Sequence, residues 1–130
     1  MSENLLLDLV VYASDYGEDG VDFFRDTMPD SPDNCIAFIE YPGNTSFIAN
    51  ADLRSVQVRV RNTSYETART TILGLYNFLY NPESGDRIID LPNNRWIQIT
   101  ARQAPFFLQK DESGRFTFIF NMGVLTNRDT

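Results

Sequence analysis

A change of hydrophobic period inside one continuous stretch constrains this chain more than any other feature. Ser55 to Tyr80 reads SVQVRVRNTSYETARTTILGLYNFLY. Val56, Val58 and Val60 alternate with Gln57, Arg59 and Arg61, the period of two that gives a strand one apolar and one polar face. After Asn62 the spacing changes: Tyr65, Ala68, Ile72, Leu75, Tyr76 and Leu79 recur at three and four residues, the stripe of an amphipathic helix. Thr63 and Glu66 stand in T-x-x-E spacing, in which the hydroxyl accepts from the amide at Glu66 and the carboxylate accepts from the amide at Thr63. A strand therefore runs into a capped helix that can fold back on the valine face. The rest of the chain must pack around that pair.

Leu5 to Ala13 is apolar nearly all round, with Asp8 the main interruption, and predicts a helix buried on more than one side. Gly17 and Gly20 punctuate the carboxylate-rich run DYGEDGVDFFRD, whose Phe23 and Phe24 are expected against the core. MPDSPDN, Met28 to Asn34, has the composition of a rigid loop. Cys35 to Tyr41 predicts a strand closed by a turn at Pro42-Gly43-Asn44, joined by a long connection to the valine strand in a long-looped hairpin. Asn81-Pro82 ends the helix near Tyr80, and Ser84-Gly85-Asp86 is loop chemistry. Ile88 to Leu91 is brief and runs into a turn at Pro92-Asn93-Asn94. Arg95 to Arg102 alternates as a third strand, with Ile97, Ile99 and Ala101 opposed to Trp96, Gln98, Thr100 and Arg102. Ala104-Pro105 breaks it, Phe106 to Leu108 is extended, and Lys110 to Gly114 has the composition of a hairpin loop. Arg115 to Val124 places Phe116, Phe118, Phe120, Met122 and Val124 on one face of the last strand. The expected architecture is α+β in a single domain over residues 1–130: a mostly antiparallel sheet of about four strands with two helices packed on one face.

Composition excludes more than it names. At 130 residues, 42% hydrophobic and 13% aromatic, the chain can bury a real core. Eleven basic against eighteen acidic residues give a net charge of −7, which repels phosphate backbones unless the arginines are gathered on one face. The single cysteine, Cys35, makes no internal disulfide and implies no oxidising compartment. The apolar run from Leu5 to Val11 lacks a basic leader and is too short to span a bilayer, so a soluble protein without a membrane partner is expected.

The absence of histidine rules out Ser-His-Asp and Cys-His catalysis and ordinary imidazole metal sites. No phosphate-cradling glycine motif occurs among seven scattered glycines, and Cys35 begins an apolar strand, the setting of a core thiol. Asp15, Asp19, Gly20 and Asp26 fall on the first, fifth, sixth and twelfth places of a calcium-loop register. The register fails, because Gly17 stands where a carboxylate is needed and Asp26 is too short for bidentate reach. No catalytic residue, cofactor or metal is expected. Arg59, Arg61 and Arg102 lie on polar faces of predicted strands together with Trp96. They are either solvated charges or part of a subunit contact in which arginine forks recognise carboxylates.

Three runs taken together carry a resemblance: MPDSPDNC at Met28 to Cys35, VQVRVRNTSYETA at Val56 to Ala68, and APFFLQKDESGRFTFIFNMGV at Ala104 to Val124. In this order they resemble the minor capsid or tail terminator proteins of tailed bacteriophages. The third run matches at Phe107, Leu108, Asp111, Glu112, Gly114, Arg115, Phe116 and Phe118. The resemblance implies a tail-terminator-like fold and a structural, non-enzymatic virion protein of the neck or tail end, assembled in the host cytoplasm. It also implies a homo-oligomeric ring, commonly a hexamer, that caps the tail tube and offers a joint to the head-completion or connector proteins. DNA would pass through without being held, in keeping with the acidic composition. The acidic segment Asp15 to Asp26 and the connection Tyr41 to Leu53 fall outside the matched runs and are candidate contact loops. Asp15, Asp19 and Asp22 are expected to meet Arg59, Arg61 or Arg102 of the next subunit. Two other classes stay open. A protein- or ligand-binding α+β adaptor unconnected with phage would show a deep apolar pocket, and a carboxylate-dependent hydrolase would show two acids converging in a cleft.

Overall fold

The computed structural model describes residues 5–41, 51–81, 83, 88–92 and 94–127. The turn expected at Pro42-Gly43-Asn44, most of the connection to Leu53, Pro82, the loop at Ser84-Gly85-Asp86 and Asn93 lie outside them. In chain order the elements are α1 (Leu5–Tyr12), a short 3-10 turn (Ser14–Tyr16), β1 (Phe23–Arg25), β2 (Cys35–Tyr41), β3 (Ala51–Asn62), α2 (Tyr65–Leu79), β4 (Ile88–Leu91), β5 (Arg95–Ala101), β6 (Phe106–Lys110) and β7 (Phe116–Asn127). Among the described residues seven strands form one sheet in the order β1-β2-β3-β7-β5-β4, with β6 also paired to β7.

This overturns the expected sheet of about four antiparallel strands with two helices: the fold is a curled, mixed half-barrel of seven strands. β1 runs parallel to β2, and every other pairing is antiparallel. The three unexpected strands have only three to five residues each, too short to display a period. The long partner that recruits them is β7. Its twelve residues pair with all twelve of β3 on one side. On its other side β5 occupies Met122 to Thr126 and β6 occupies Phe116 to Ile119. β5 and β6 are thus two pieces of one line, separated where Ala104-Pro105 interrupts the ladder, since proline has no amide to donate.

Pleating sorts the side chains. Ile36 and Phe38 of β2, Val56, Val58 and Val60 of β3, Ile97 and Ile99 of β5, and Phe118, Phe120, Met122 and Val124 of β7 share one core with Leu5, Leu9 and Val10 of α1 and Ala68, Ile72, Leu75 and Leu79 of α2. The helix cap differs from the one expected. Ser64, not Thr63, is the N-cap, its hydroxyl accepting from the Thr67 amide at 3.2 Å. The Thr63 amide instead donates to Asn34 Oδ1 at 2.9 Å. A side chain from the MPDSPDN loop thus satisfies a donor that the capping box would have used, and fixes where the helix begins.

Two sets of buried arginine contacts tie distant segments together. Because the sheet curls, Asp8 of α1 reaches the far strand β5, where its carboxylate accepts from Arg95 Nε at 2.9 Å. Arg95 is 1% exposed and also donates to the Thr126 hydroxyl and the Asn127 carbonyl. The charge that interrupted the apolar helix is therefore a partner for a buried cation. At the other end of the sheet Arg61 donates to the carbonyls of Pro29, Pro32 and Asp33. Arg115 donates to the carbonyl and carboxylate of Asp30 and to Asp111 Oδ2. Between them they clamp the loop Pro29 to Asn34, which contains a cis Ser31-Pro32 bond. Asp111 also accepts from the amides of Ser113 and Arg115, and Gly114 closes the hairpin at φ +81°, a conformation that glycine adopts without strain.

Two outcomes follow for solution measurements. Asp8→Ala should cost about 3 kcal/mol, since it takes one carboxylate from a buried ion pair, and Asp8→Leu combined with Arg95→Met should recover much of that loss in denaturant unfolding. The Arg115 amide, followed by the Arg115 side chain, holds the Asp111 carboxyl below its ordinary range. A carboxylate with a depressed folded pKa adds stability that is present above its unfolded value and is lost as pH falls toward the folded one. Thermal melts should therefore show a loss of stability as pH drops through and below about 4, and Asp111→Asn should flatten that part of the profile.

Candidate functional site

The residues singled out from sequence fall on a sheet face, a far sheet end and an acidic edge, and of these Asp22 and Arg61 line one cleft. Arg59, Arg61 and Arg102 do lie on the polar face of the half-barrel, away from the helices. Arg61 is 7% exposed and directed into the Pro29 to Asn34 loop. Arg59 is half-buried, with its Nε 2.5 Å from Gln57 Oε1, and Gln57 in turn donates to Asn121 across the β3–β7 pair. Arg102 lies along the backbone of Gly123, where a Cβ would meet its Nη2 at 3.3 Å. Its Nη1 reaches the Tyr41 hydroxyl at 3.1 Å. This face is thus covered by its own long polar side chains laid flat over small residues: Ala37, Ser55 and Gly123 are buried beneath them.

Trp96 is half-buried at the other end of β7, where its amide meets Asn127 Oδ1. Arg61 faces Thr117 in the register, so the two are roughly 30 Å apart at about 3.3 Å per strand residue. They do not form one patch. Asp15, Asp19 and Asp22 lie beyond β1, at the opposite edge of the sheet from β6 and β4. There residues Ser14 to Asp22 fold into a knuckle. Asp22 Oδ1 accepts from the Glu18 amide at 2.7 Å, and a Cβ on Gly17 would stand 2.9 Å from the same oxygen. Asp19 pairs with Arg25 at 3.0 Å. Asp15 and Glu18 are exposed.

The structural roles of three features were not read from the sequence, although Arg115, Phe107 and Leu108 stood in the matched third run. Arg95 and Arg115 are as deeply buried as Arg61. Arg115 did carry a signal, since Asp111 stands four residues earlier across a Ser-Gly turn, the arrangement of an aspartate that caps its own hairpin. The third is an aromatic group around the edge strand β6. Tyr65 from the first turn of α2 stands 5.8 Å from Phe107, 5.6 Å from Phe116 and 5.1 Å from Phe118, ring centre to ring centre. Tyr65, Phe106, Phe107 and Leu108 nevertheless remain exposed.

Surface clefts of about 130 to 450 Å³ occur among the described residues. One of about 130 Å³ is lined by Tyr16, Asp22, Asn34, Cys35 and Arg61, and burial pushes the Cys35 thiol up, away from thiolate chemistry. Among the described residues no group of three or more His, Cys, Asp or Glu side chains gathers as metal ligands, and no helix is long and apolar enough to cross a membrane. What the folded chain offers is surface: an acidic edge, a self-covered polar sheet face and an exposed aromatic edge.

No curated protein matches the chain significantly. A family model described as bacteriophage tail terminator protein matches residues 9–126, a span that runs from the second half of α1 through the acidic knuckle and the clamped loop to the last residue but one of β7. Such a family is structural rather than enzymatic, is a component of the virion, and works against other tail and head proteins. With the match running from the first helix to the last strand, this chain belongs to the bacteriophage tail terminator family.

Proposed function

We propose that this chain closes the tail at its head-proximal end. Copies form a head-to-tail ring, six in number, that caps the tail tube, stops its growth and presents the joint to head-completion proteins. The observation that carries this reading is the family match over residues 9–126. The surface is consistent with it. The features left outward, an acidic knuckle and an exposed aromatic edge, are of the kind that docks other proteins. The knuckle with Asp15, Asp19 and Asp22 supplies one half of the ring contact, and a cationic surface of the neighbouring copy supplies the other. A closed ring needs two different complementary patches on each copy.

The charge distribution suits a DNA conduit. Of the chain's arginines, Arg61, Arg95 and Arg115 are buried, so the exterior is more acidic than the net charge of −7 alone conveys. A ring of such copies repels the duplex and lets it slide, because tight phosphate contacts would slow its passage.

Phage lacking this chain should assemble tail tubes of uncontrolled length that fail to join heads, scored by electron microscopy of lysates. Tails of normal length attached to heads would overturn the reading. The purified chain should leave a duplex unshifted in gel electrophoresis at physiological salt. Tight duplex binding that weakens as salt rises would remove the conduit argument.

A further inference from the structure

β6 is exposed at every residue, and its side away from β7 has no partner strand among the described residues. Around it Tyr65, Phe106, Phe107 and Leu108 are 39%, 40%, 43% and 40% exposed. Tyr65 and Phe107 stand together on one face of this edge strand and Phe106 projects from the other; half-wet rings along an open edge of an acidic, polar exterior mark an interaction surface. Two cations flank it. Lys110 Nζ lies 5.3 Å above the Phe116 ring. Arg69, one turn after Tyr65, stands exposed on the same side of α2. Neither Lys110 nor Arg69 forms an ion pair among the described residues, whereas Arg59, Arg61 and Arg102 are all engaged by their own chain.

A partner that fits must bring small apolar side chains set between carboxylates. The chain carries such a surface itself. Val11 and Val21 are each 55% exposed, and Val11 lines a cleft of about 230 Å³ with Ser14, Glu18 and Asp19. Asp15 and Glu18 are exposed beside it and form no ion pair among the described residues. The knuckle lies at β1, while β6 lies across β2, β3 and β7 from it, about 19 Å away at about 4.8 Å per strand. The two surfaces sit on opposite edges of the sheet path, and in a ring the knuckle of one copy meets the edge of the next head to tail.

We infer that the aromatic edge formed by Tyr65, Phe106, Phe107 and Leu108 receives the Val11–Val21 knuckle of a second copy, with Arg69 and Lys110 facing its Asp15 and Glu18. The inference rests on the ring reading and names the two faces of its joint. Copies that repel one another through their net charge associate where opposite charges meet, and the apolar centre with a charged rim is the anatomy of a specific interface.

Charge exchange tests it on the full chain. Ring formation is scored by electron microscopy and sedimentation, both in solution and on tail tubes from phage lacking this protein. Melting curves show that each variant is folded. Arg69→Glu with Lys110→Glu should raise the concentration needed for rings by about ten-fold or more, and Asp15→Lys with Glu18→Lys should do the same. All four substitutions in one chain should restore assembly, since each reversed knuckle then meets a reversed edge. Arg59→Glu with Arg102→Glu should assemble as the natural chain does. The inference is overturned if the Arg69 and Lys110 reversal assembles normally, or if the folded four-fold variant stays dissociated; both results leave the ring reading of the natural chain standing. If the natural chain forms rings in neither setting, the ring reading itself fails and this inference falls with it.

Discussion

The pairing of β3 with β7 is the constraint on which everything else in this molecule depends. Twelve residues of each strand face one another without interruption, from Ala51 opposite Asn127 to Asn62 opposite Phe116. Each strand alternates, so the ladder has an apolar face of Val56, Val58, Val60, Phe118, Phe120, Met122 and Val124 and a polar face of Gln57, Arg59, Arg61, Thr117 and Asn121. The apolar face needs a cover, and α2 follows β3 after only Thr63 and Ser64, so it is held directly over the strand that it leaves. Edges need partners too, and a ladder this long has room for β2 on one side and for both β5 and β6 on the other. Accumulated twist over so many strands curls the sheet. The curl is what lets Asp8 on the first helix meet Arg95 on the fifth strand.

Arginine placement gives the exterior its character. Arg95 is enclosed by Asp8, Thr126 and Asn127, while Arg61 and Arg115 are directed at backbone carbonyls of a single loop. A guanidinium has five donors in a fixed plane, so one side chain can satisfy several carbonyls that a proline-rich loop leaves without partners. Pro29 and Pro32 have no amides to build a turn ladder of their own. Their loop is ordered from outside, by strands β3 and β7. Cations used in this way are withdrawn from the surface, and the carboxylates of the knuckle are left to dominate one edge.

Much of this was legible in the sequence where periods are long. The valine alternation from Val56 to Val60, the stripe from Ala68 to Leu79 and the aromatic alternation from Phe116 to Phe120 each extend far enough to fix the type of element; Val56, Val58, Val60, Ala68, Ile72, Leu75, Leu79, Phe118 and Phe120 are buried as expected, while Thr117 and Ile119 of the other face are buried as well. The short strands were not legible, because Phe23 to Arg25, Ile88 to Leu91 and Phe106 to Lys110 are strands only through partners that the fold brings to them. The cap was misplaced by one residue for a related reason: T-x-x-E is a local signal, and a long-range donor-acceptor pair between Thr63 and Asn34 outweighed it. Arg61 shows a limit of a different kind. Alternation correctly put it on the polar face, yet that face is covered at Arg61 by a loop. Polarity in a strand records which side a residue is on and does not record what lies across from it.

The sheet edges explain why side chains, and not strand addition, are the plausible currency of the proposed ring contact. At β1 the edge is closed by its own knuckle, since Asp19 bridges to Phe23 and the Gly20 amide donates to the Phe23 carbonyl. At β6 the edge has no partner strand among the described residues, and an open flat edge pairs with any strand that meets it. Two devices guard it. The register slips between Phe107 and Gln109, which breaks the spacing that a further strand would need, and Lys110 places a charge at its end. With backbone pairing disfavoured at the aromatic edge, what remains for a neighbour is the exposed ring surface and the two cations beside it. Those select by shape and charge, which distinguishes one partner from another in a way that backbone hydrogen bonds, being the same in every strand, do not.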